Sequence, residues 1–208
     1  MPKLQTWFPT HIYQSPLLRQ AAAGRKFNAE LLKECHQFRD FDDAGRKWSA
    51  KNYPGGYTSY GSLDKLHRIS STFGELERHL QRHARSFAQA LDWEMGTAQL
   101  VLTDCWVNIM PRQTAHSLHL HPNSVISGTY YVATPRGCAG LKFEDPRMSR
   151  FMAAPPRSAT PRRENQQYIT YPADAGSIIL FESWLRHEVP ANPVKAERIS
   201  ISFNYGWQ

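Results

Sequence analysis

A histidine-rich window in the second half of the chain is the strongest chemical signal in the sequence. It runs from His116 to Asn123 and contains His119 and His121, which are separated by Leu120. Side chains two positions apart in a β-strand point to the same face, about 6 to 7 Å apart, so both imidazoles can reach one ion. His116 has the opposite parity. Neutral imidazole is the commonest metal ligand, so the pair indicates a metal site; the alternative is a pair of ordinary polar strand residues.

A second window contains a third histidine. A turn at Gly176 precedes an apolar run that ends at Phe181, and His187 follows just before the alternating Val189. The pattern predicts a buried strand, a bend after it, and a histidine where the next strand begins.

The last window, at residues 198–204, alternates strictly between apolar and polar side chains. Ile199, Ile201 and Phe203 occupy one face of the predicted strand, and Arg198 and Ser200 occupy the other. If the second face lines the interior of a barrel, the buried guanidinium needs an anionic partner. A carboxylate cosubstrate would serve; an ion pair on the protein surface is the alternative interpretation.

The elements that position these windows divide the chain near residue 98. Before it, the patterns predict an extended leading segment at 4–18, a helix at about 28–41 and a second helix after 71–72. After it, we predict eight strands, at 99–107, 117–121, 125–133, 140–143, 167–171, 177–181, 188–189 and 198–205. The order predicts a mainly β, α+β protein: a jelly roll or related barrel with helices against one sheet. We interpret 1–208 as one domain, with 1–97 as the leading segment and buttressing helices and 98–208 as the core.

Composition excludes several functional classes. The hydrophobic fraction is 41% and the charged fraction 21%, as in ordinary globular proteins. No apolar run approaches the roughly 20 residues of a membrane helix and no signal peptide is evident, so we expect a cytoplasmic protein without a membrane partner. Cys35, Cys105 and Cys138 form no CxxC motif and are interpreted as reduced thiols.

The net charge of +7 admits an acidic partner. The basic residues of the chain are scattered. The densest set, at 146–166, has almost no aromatic residues between its basic ones, which disfavours nucleic-acid binding. An anionic small-molecule substrate explains the charge equally well. The sequence does not indicate an oligomeric state.

Together, the three windows resemble the Fe(II)/2-oxoglutarate-dependent dioxygenase superfamily, whose fold is the double-stranded β-helix, a cupin-like jelly roll. More narrowly, the chain is similar to a bacterial and phage group of 2-oxoglutarate-Fe(II) oxygenases. The segments that carry this resemblance are 7–10 (WFPT), 106–108 (WVN), 119–124 (HLHPNS), 127–132 (SGTYYV) and 198–204 (RISISFN).

The resemblance implies a role for each matching residue. His119, His121 and His187 would bind Fe(II), and no further catalytic residue is implied. Arg198 would pair with the far carboxylate of 2-oxoglutarate. The further candidates for cosubstrate or substrate contacts are Ser200, Tyr131, Asn108 and Asn123. The implied reaction uses O2, hydroxylates a small-molecule or amino-acid-like substrate and releases succinate and CO2. Loops 52–60 and 146–166 would set substrate selectivity.

One departure from the superfamily pattern keeps two alternatives open. Most members have His-x-Asp or His-x-Glu, whereas here His121 occupies the carboxylate position. Three-histidine sites also occur in cupin-type dioxygenases that need no 2-oxoacid. The second alternative is a non-catalytic jelly roll that binds a metal or a sugar, in which the histidines are structural.

Overall fold

Two antiparallel sheets form the body of the protein. The computed structural model describes residues 3–18 and 21–208. Its strands are β1 (Ile12–Pro16), β2 (Tyr57–Thr58), β3 (Leu100–Met110), β4 (His116–His119), β5 (Ile126–Ala133), β6 (Leu141–Glu144), β7 (Tyr168–Tyr171), β8 (Ser177–Glu182), β9 (His187–Val189) and β10 (Arg198–Trp207). Six strands form the larger sheet in the order β1-β8-β5-β10-β3-β2, and four form the smaller sheet in the order β4-β9-β6-β7. The expected double-stranded β-helix is confirmed.

Helices cover the outer face of the larger sheet. They are α1 (Ala21–Phe41), α2 (Asp43–Asn52), α3 (Leu66–Ile69) and α4 (Ser71–Ala90). The Ser70 hydroxyl accepts hydrogen bonds from the backbone N–H groups of Thr72 and Phe73, which caps the start of α4. The apolar stripe of α4 packs into the same buried cluster as the outward side chains of β3, β5 and β10. In the part of the chain that the structure describes, no helix is long and apolar enough to span a bilayer.

The central strand β10 separates this core from the interior of the sandwich. It pairs with β3 on one side and β5 on the other. Ile199, Ile201 and Phe203 face the helices, as the alternation predicts. Phe203 lies so close to β5 that a Cβ atom at Gly128 would come within 2.6 Å of its ring. The opposite face of β10 lines a cavity between the two sheets.

The structure departs from the sequence predictions mainly before residue 98. Helix α1 begins at Ala21 rather than near 28, and α2, α3 and the short β2 were not predicted. These elements have weak periodicity or are very short. The predicted strand 117–121 is shifted: β4 ends at His119, and a register irregularity lies between His116 and His119. His121 therefore lies beyond the strand. All three cysteines are free.

Candidate active site

Three histidines meet at the open end of the smaller sheet. His119 ends β4, His187 begins β9, and the two are paired across these strands. His121 joins them from the turn after β4, where its backbone N–H donates to the Ser183 carbonyl at 3.0 Å. One ring nitrogen from each histidine lies within 4.8 Å of the others. The long-range pairing of β4 with β9 thus completes a cluster that the two sequence windows supply separately.

Hydrogen bonds to Nδ1 orient all three rings. The Nδ1 atoms of His119 and His187 lie 2.6 Å from the Ser117 carbonyl oxygen and 2.9 Å from the Leu185 carbonyl oxygen, respectively. Nδ1 of His121 lies 2.6 Å from Oδ1 of Asn204. Because each acceptor requires a proton on Nδ1, the lone pair of each neutral ring is on Nε2. This tautomer is the one a metal ligand needs.

Burial favours the neutral form of His187 and His121. It lowers the pKa of His187 to about 3, and repulsion from His119 and then from His121 and His116 adds to the effect. Burial likewise lowers the pKa of His121, although the hydrogen bond to Asn204 opposes the shift. Neutral imidazoles can bind a transition metal without first losing a proton. The cluster therefore fits a first-row transition metal such as iron in donor type, and burial favours the metal-binding form of two of its three rings.

Arg198 lies in the same cavity, which has a volume of about 580 Å³. The residue is only 1% exposed. Its Nε donates to the Ala139 carbonyl oxygen at 2.9 Å, and one terminal nitrogen donates to Ser200 Oγ at 3.1 Å and to Met110 Sδ at 3.4 Å. Among residues 3–18 and 21–208, no carboxylate lies within ion-pair distance of this guanidinium. The positive charge is thus buried without a protein counter-charge, which is costly unless a ligand provides one.

Of the other predicted contacts, Ser200, Asn108 and Asn123 line the cavity, whereas Tyr131 does not. Ser200 and Asn108 line the buried end, and the Asn108 side-chain N–H donates to Ser202 Oγ at 3.0 Å. Tyr131 lies beside Arg198, whose guanidinium carbon is 5.2 Å from the ring centre. The Tyr131 hydroxyl and Asn108 Oδ1 are buried without a hydrogen-bond partner. Asn123 is exposed at the opening, in a turn where its φ is +68°.

His116 lies on the same side as His119, whereas strand parity predicts the opposite face. It lines the same cavity as His119, because the register irregularity in β4 breaks the period of two. Its Nε2 lies 2.8 Å from the Tyr53 hydroxyl, and the two rings stack with centres 4.5 Å apart. Burial lowers the pKa of His116 to about 3, followed by the effect of the positive charges that neighbouring histidines and Arg198 can carry. No local sequence signal reveals this pair, since Tyr53 and His116 meet across 63 positions.

Five of the residues that line the cavity form what we call its outer part: Trp48, Tyr60, Trp106, Leu120 and Asp104. Trp106 and Tyr60 contact each other, with ring centres 5.0 Å apart. The predicted selectivity loop 52–60 does contribute lining residues. Loop 146–166 contributes none to this cavity.

Comparison with known proteins agrees with this geometry. Residues 104–204, which include the three clustered histidines and Arg198, match the family described as "Putative 2OG-Fe(II) oxygenase". A search of curated proteins gave no match.

Solved structures with the same fold cover nearly all of this chain. The alpha-ketoglutarate-dependent epimerase SnoN from nogalamycin biosynthesis has a TM-score of 0.63 and 16% identity, over 95% of this chain and 76% of its own. A Pseudomonas putida prolyl-4-hydroxylase has a TM-score of 0.60 and 15% identity, over 95% and 92%. HygX from Streptomyces hygroscopicus, with nickel, 2-oxoglutarate and hygromycin B bound, has a TM-score of 0.58 and 13% identity, over 95% and 83%.

The chain thus combines a double-stranded β-helix with a cluster of three histidines that could hold a metal ion. The chain shares its fold with Fe(II)/2-oxoglutarate-dependent oxygenases, and the segment that matches their family covers 101 of its 208 residues.

Proposed function

We propose that His119, His121 and His187 bind Fe(II), and that Arg198 binds the far carboxylate of 2-oxoglutarate in the same cavity. The observation that carries the proposal is the buried guanidinium of Arg198, which lacks a carboxylate partner among the described residues. Arginine presents a fork of donors that matches a carboxylate. A cosubstrate dianion would neutralise this charge and meet the metal with its 2-oxoacid end.

The residues around Arg198 support the same ligand. Ser200 Oγ already accepts from the guanidinium, so its own proton remains available for a carboxylate oxygen. The Tyr131 hydroxyl gains its missing partner when a carboxylate lies beside Arg198. Asn108 and Asn123 are proposed as contacts to cosubstrate or substrate, on the buried and exposed sides respectively.

The proposed reaction is hydroxylation of a small-molecule or amino-acid-like substrate. Fe(II) and 2-oxoglutarate, when bound, supply the oxidative step in which one oxygen atom of O2 enters a substrate C–H bond and the other enters succinate, with release of CO2. The protein's own contribution is to orient the three imidazoles, to hold the carboxylate at Arg198 and to exclude water around them.

The three-histidine set affects charge more than geometry. Three neutral ligands leave the full +2 charge on the metal, whereas a carboxylate ligand would leave +1. A dianionic cosubstrate compensates for that difference. The set also favours a second candidate, a dioxygenase that needs no 2-oxoacid, but such an enzyme would leave the buried charge of Arg198 without a partner.

The outer part of the cavity suggests what the substrate presents to the protein. Its walls are aromatic and apolar, and Asp104 is the acidic group among the lining residues. Aromatic faces and a carboxylate attract neutral rings or cations. The overall charge of +7 favours an anionic substrate, but the groups that touch the substrate decide recognition. We infer a substrate with a flat or cationic part facing Trp48, Tyr60 and Trp106.

The test is an anaerobic optical titration. The protein is loaded with Fe(II) and 2-oxoglutarate is added, while the weak visible charge-transfer band of a metal-chelated 2-oxoacid is followed. We expect a saturable band that His187→Ala abolishes and that Arg198→Ala shifts to much higher 2-oxoglutarate concentrations. In the same preparations, exposure to O2 should yield succinate slowly even without a substrate.

Two matched substitutions serve as controls. His11→Ala and Arg85→Ala change the same residue types at exposed positions outside the cavity and should leave the titration unchanged. Iron bound without any band would reject the 2-oxoglutarate site and favour the three-histidine dioxygenase. No binding of iron would reject the metal site itself.

A further inference from the structure

One of the three histidines is held differently from the other two. The rings of His119 and His187 face backbone carbonyls two residues earlier in the chain. The ring of His121 instead faces a side chain, that of Asn204, although His121 and Asn204 are 83 positions apart. His121 is also the residue that stands where most of the superfamily has a carboxylate. This inference concerns that difference and rests on the proposed metal role of His121.

The orientation of the Asn204 amide is determined by its surroundings. Asn204 is 5% exposed on the central strand β10, opposite Asp104 of β3 and Ser127 of β5. Its Oδ1 accepts from Ser127 Oγ at 2.8 Å as well as from His121, and its Nδ2 donates to Asp104 Oδ2 at 3.3 Å. A reversed amide would place its N–H groups against the imidazole Nδ1–H and its oxygen against the Asp104 carboxylate, and would lose the bonds to His121 and Asp104.

Asp104 is held in place at the far end of this chain of hydrogen bonds. Its Oδ2 also accepts from Thr103 Oγ1 at 2.8 Å, and its Oδ1 lies 3.7 Å from Nζ of Lys65. The Lys65 side chain is 58% exposed, so solvent screens this ion pair. The Asp104 carboxylate therefore has no buried cation among the described residues as its partner, and its Oδ2 contacts the amide that faces His121.

We propose that Asn204 is a positioning residue that keeps the proton of His121 on Nδ1, and that Asp104 polarises this imidazole through Asn204. Hydrogen bonds in series polarise one another, so a carboxylate on the amide N–H increases the negative charge on the amide oxygen. The imidazole Nε2 then becomes a stronger donor to the metal. In this way the centre recovers, outside the ligand set, part of the negative charge that a carboxylate ligand would have supplied.

The first arm of the test uses the metal-free protein. Long-range ¹H–¹⁵N spectra of the histidine rings report which nitrogen carries the proton. We expect His121 to be protonated on Nδ1 in the unsubstituted protein and to become a tautomer mixture in Asn204→Leu, while His119 and His187 are unaffected. A residue that only braces the sheet would not change the tautomer of one ring. An unchanged His121 tautomer in Asn204→Leu would overturn the positioning role.

The second arm measures Co(II) affinity from the visible absorption of the bound ion. Asn204→Leu should weaken binding by about 10- to 100-fold, the range known for loss of a hydrogen-bond partner of a metal ligand. Asn204→Asp combined with Asp104→Asn keeps the size of both side chains, the acceptor for His121 and a hydrogen bond between positions 104 and 204. This double variant should recover most of the affinity, which also guards against a folding defect in the leucine variant. Asp104→Asn should weaken binding by about threefold. Equal affinities for Asp104→Asn and the unsubstituted protein would overturn the polarisation.

Asn28→Leu is the matched control. Asn28 also bridges two elements, through a donor to the Val132 carbonyl and an acceptor from the Tyr130 hydroxyl, but on the helix side of the larger sheet. We expect it to lower stability and leave Co(II) affinity unchanged. If the unsubstituted protein binds no Co(II), the proposed function fails, and the spectra of the metal-free protein still decide the role of Asn204.

Discussion

The two faces of strand β10 share one backbone but carry different side chains, apolar on the outer face and polar or charged on the inner face. On the outer face, Ile199, Ile201 and Phe203 pack against the helices in a fully apolar cluster. On the inner face, Arg198 donates a hydrogen bond to Ser200, and Asn204 accepts one from His121 of the histidine cluster. Successive residues of β10 therefore alternate between packing against the helices and lining the cavity. Because the period of a strand is two, the two demands can be met without compromise at any one position.

We therefore expect substitutions on the outer face to change stability and substitutions on the inner face to change ligand binding. The outer face is buried in an apolar cluster, whereas the inner face retains the charge of Arg198 without a carboxylate partner among the described residues. Such features lower stability and are retained where a ligand completes them. Four substitutions or conditions test this separation.

The largest effect is expected for Phe203→Ala on the outer face. Removing a fully buried aromatic ring leaves a cavity against Gly128 and α4, which should lower the free energy of unfolding by about 3–5 kcal/mol. Urea unfolding measures this loss. In the protein that remains folded at low temperature, 2-oxoglutarate affinity should be unchanged, and a large loss of affinity would show that the faces are coupled.

Arg198→Met on the inner face should weaken 2-oxoglutarate binding without lowering stability. Loss of a buried partner of a carboxylate is expected to cost about 2–5 kcal/mol of binding, or roughly 30-fold or more in 2-oxoglutarate affinity. The metal-free variant should be as stable as the unsubstituted protein, or more stable, because an unpaired buried charge is removed. Calorimetric titration and urea unfolding measure the two quantities. A less stable variant would mean that the charge is compensated within the protein.

Acid should destabilise the molecule through two buried histidines that line the cavity opposite β10, His116 on β4 and His187 on β9. Burial lowers the pKa of His116 and His187 to about 3 in the folded protein. Below about pH 6.5 the unfolded chain therefore binds protons that the folded chain does not, and the free energy of unfolding falls as the pH falls. At pH 5 the loss is roughly 2 kcal/mol for each histidine.

Urea unfolding of the metal-free protein between pH 7 and pH 4.5 measures this dependence. His116→Gln should make the slope shallower, while the exposed-site control His11→Gln should not. Identical slopes for His116→Gln and the unsubstituted protein would assign the acid sensitivity to other groups.

The smallest effect is expected from a pair of neighbouring tyrosines on β5. Tyr131→Phe removes a hydroxyl that lacks a partner within the described chain and should lower 2-oxoglutarate affinity by about fivefold, with little change in stability. Tyr130→Phe removes a hydroxyl that donates to Asn28 at 2.8 Å and should lower stability by about 1 kcal/mol without affecting 2-oxoglutarate. Calorimetric titration and urea unfolding of both variants measure the contrast. Similar results for the two would contradict the separation of faces.

The sequence by itself determined the strands after residue 98 and the alternation along β10. It also singled out His119, His121, His187 and Arg198, since residue types and a period of two are local properties. It did not determine which residues meet. His116 joins the cavity because a register irregularity in β4 overrides parity.

Only the tertiary structure brought the distant partners together. Asn204 lies opposite Asp104 because β10 pairs with β3 across 100 positions of sequence, and His119 lies opposite His187 because β4 pairs with β9. Tyr53 reaches His116 from the segment after α2, an element whose weak apolar pattern gave no helix prediction. Such contacts follow from strand register and the packing of whole elements, which depend on the complete chain rather than on any local window.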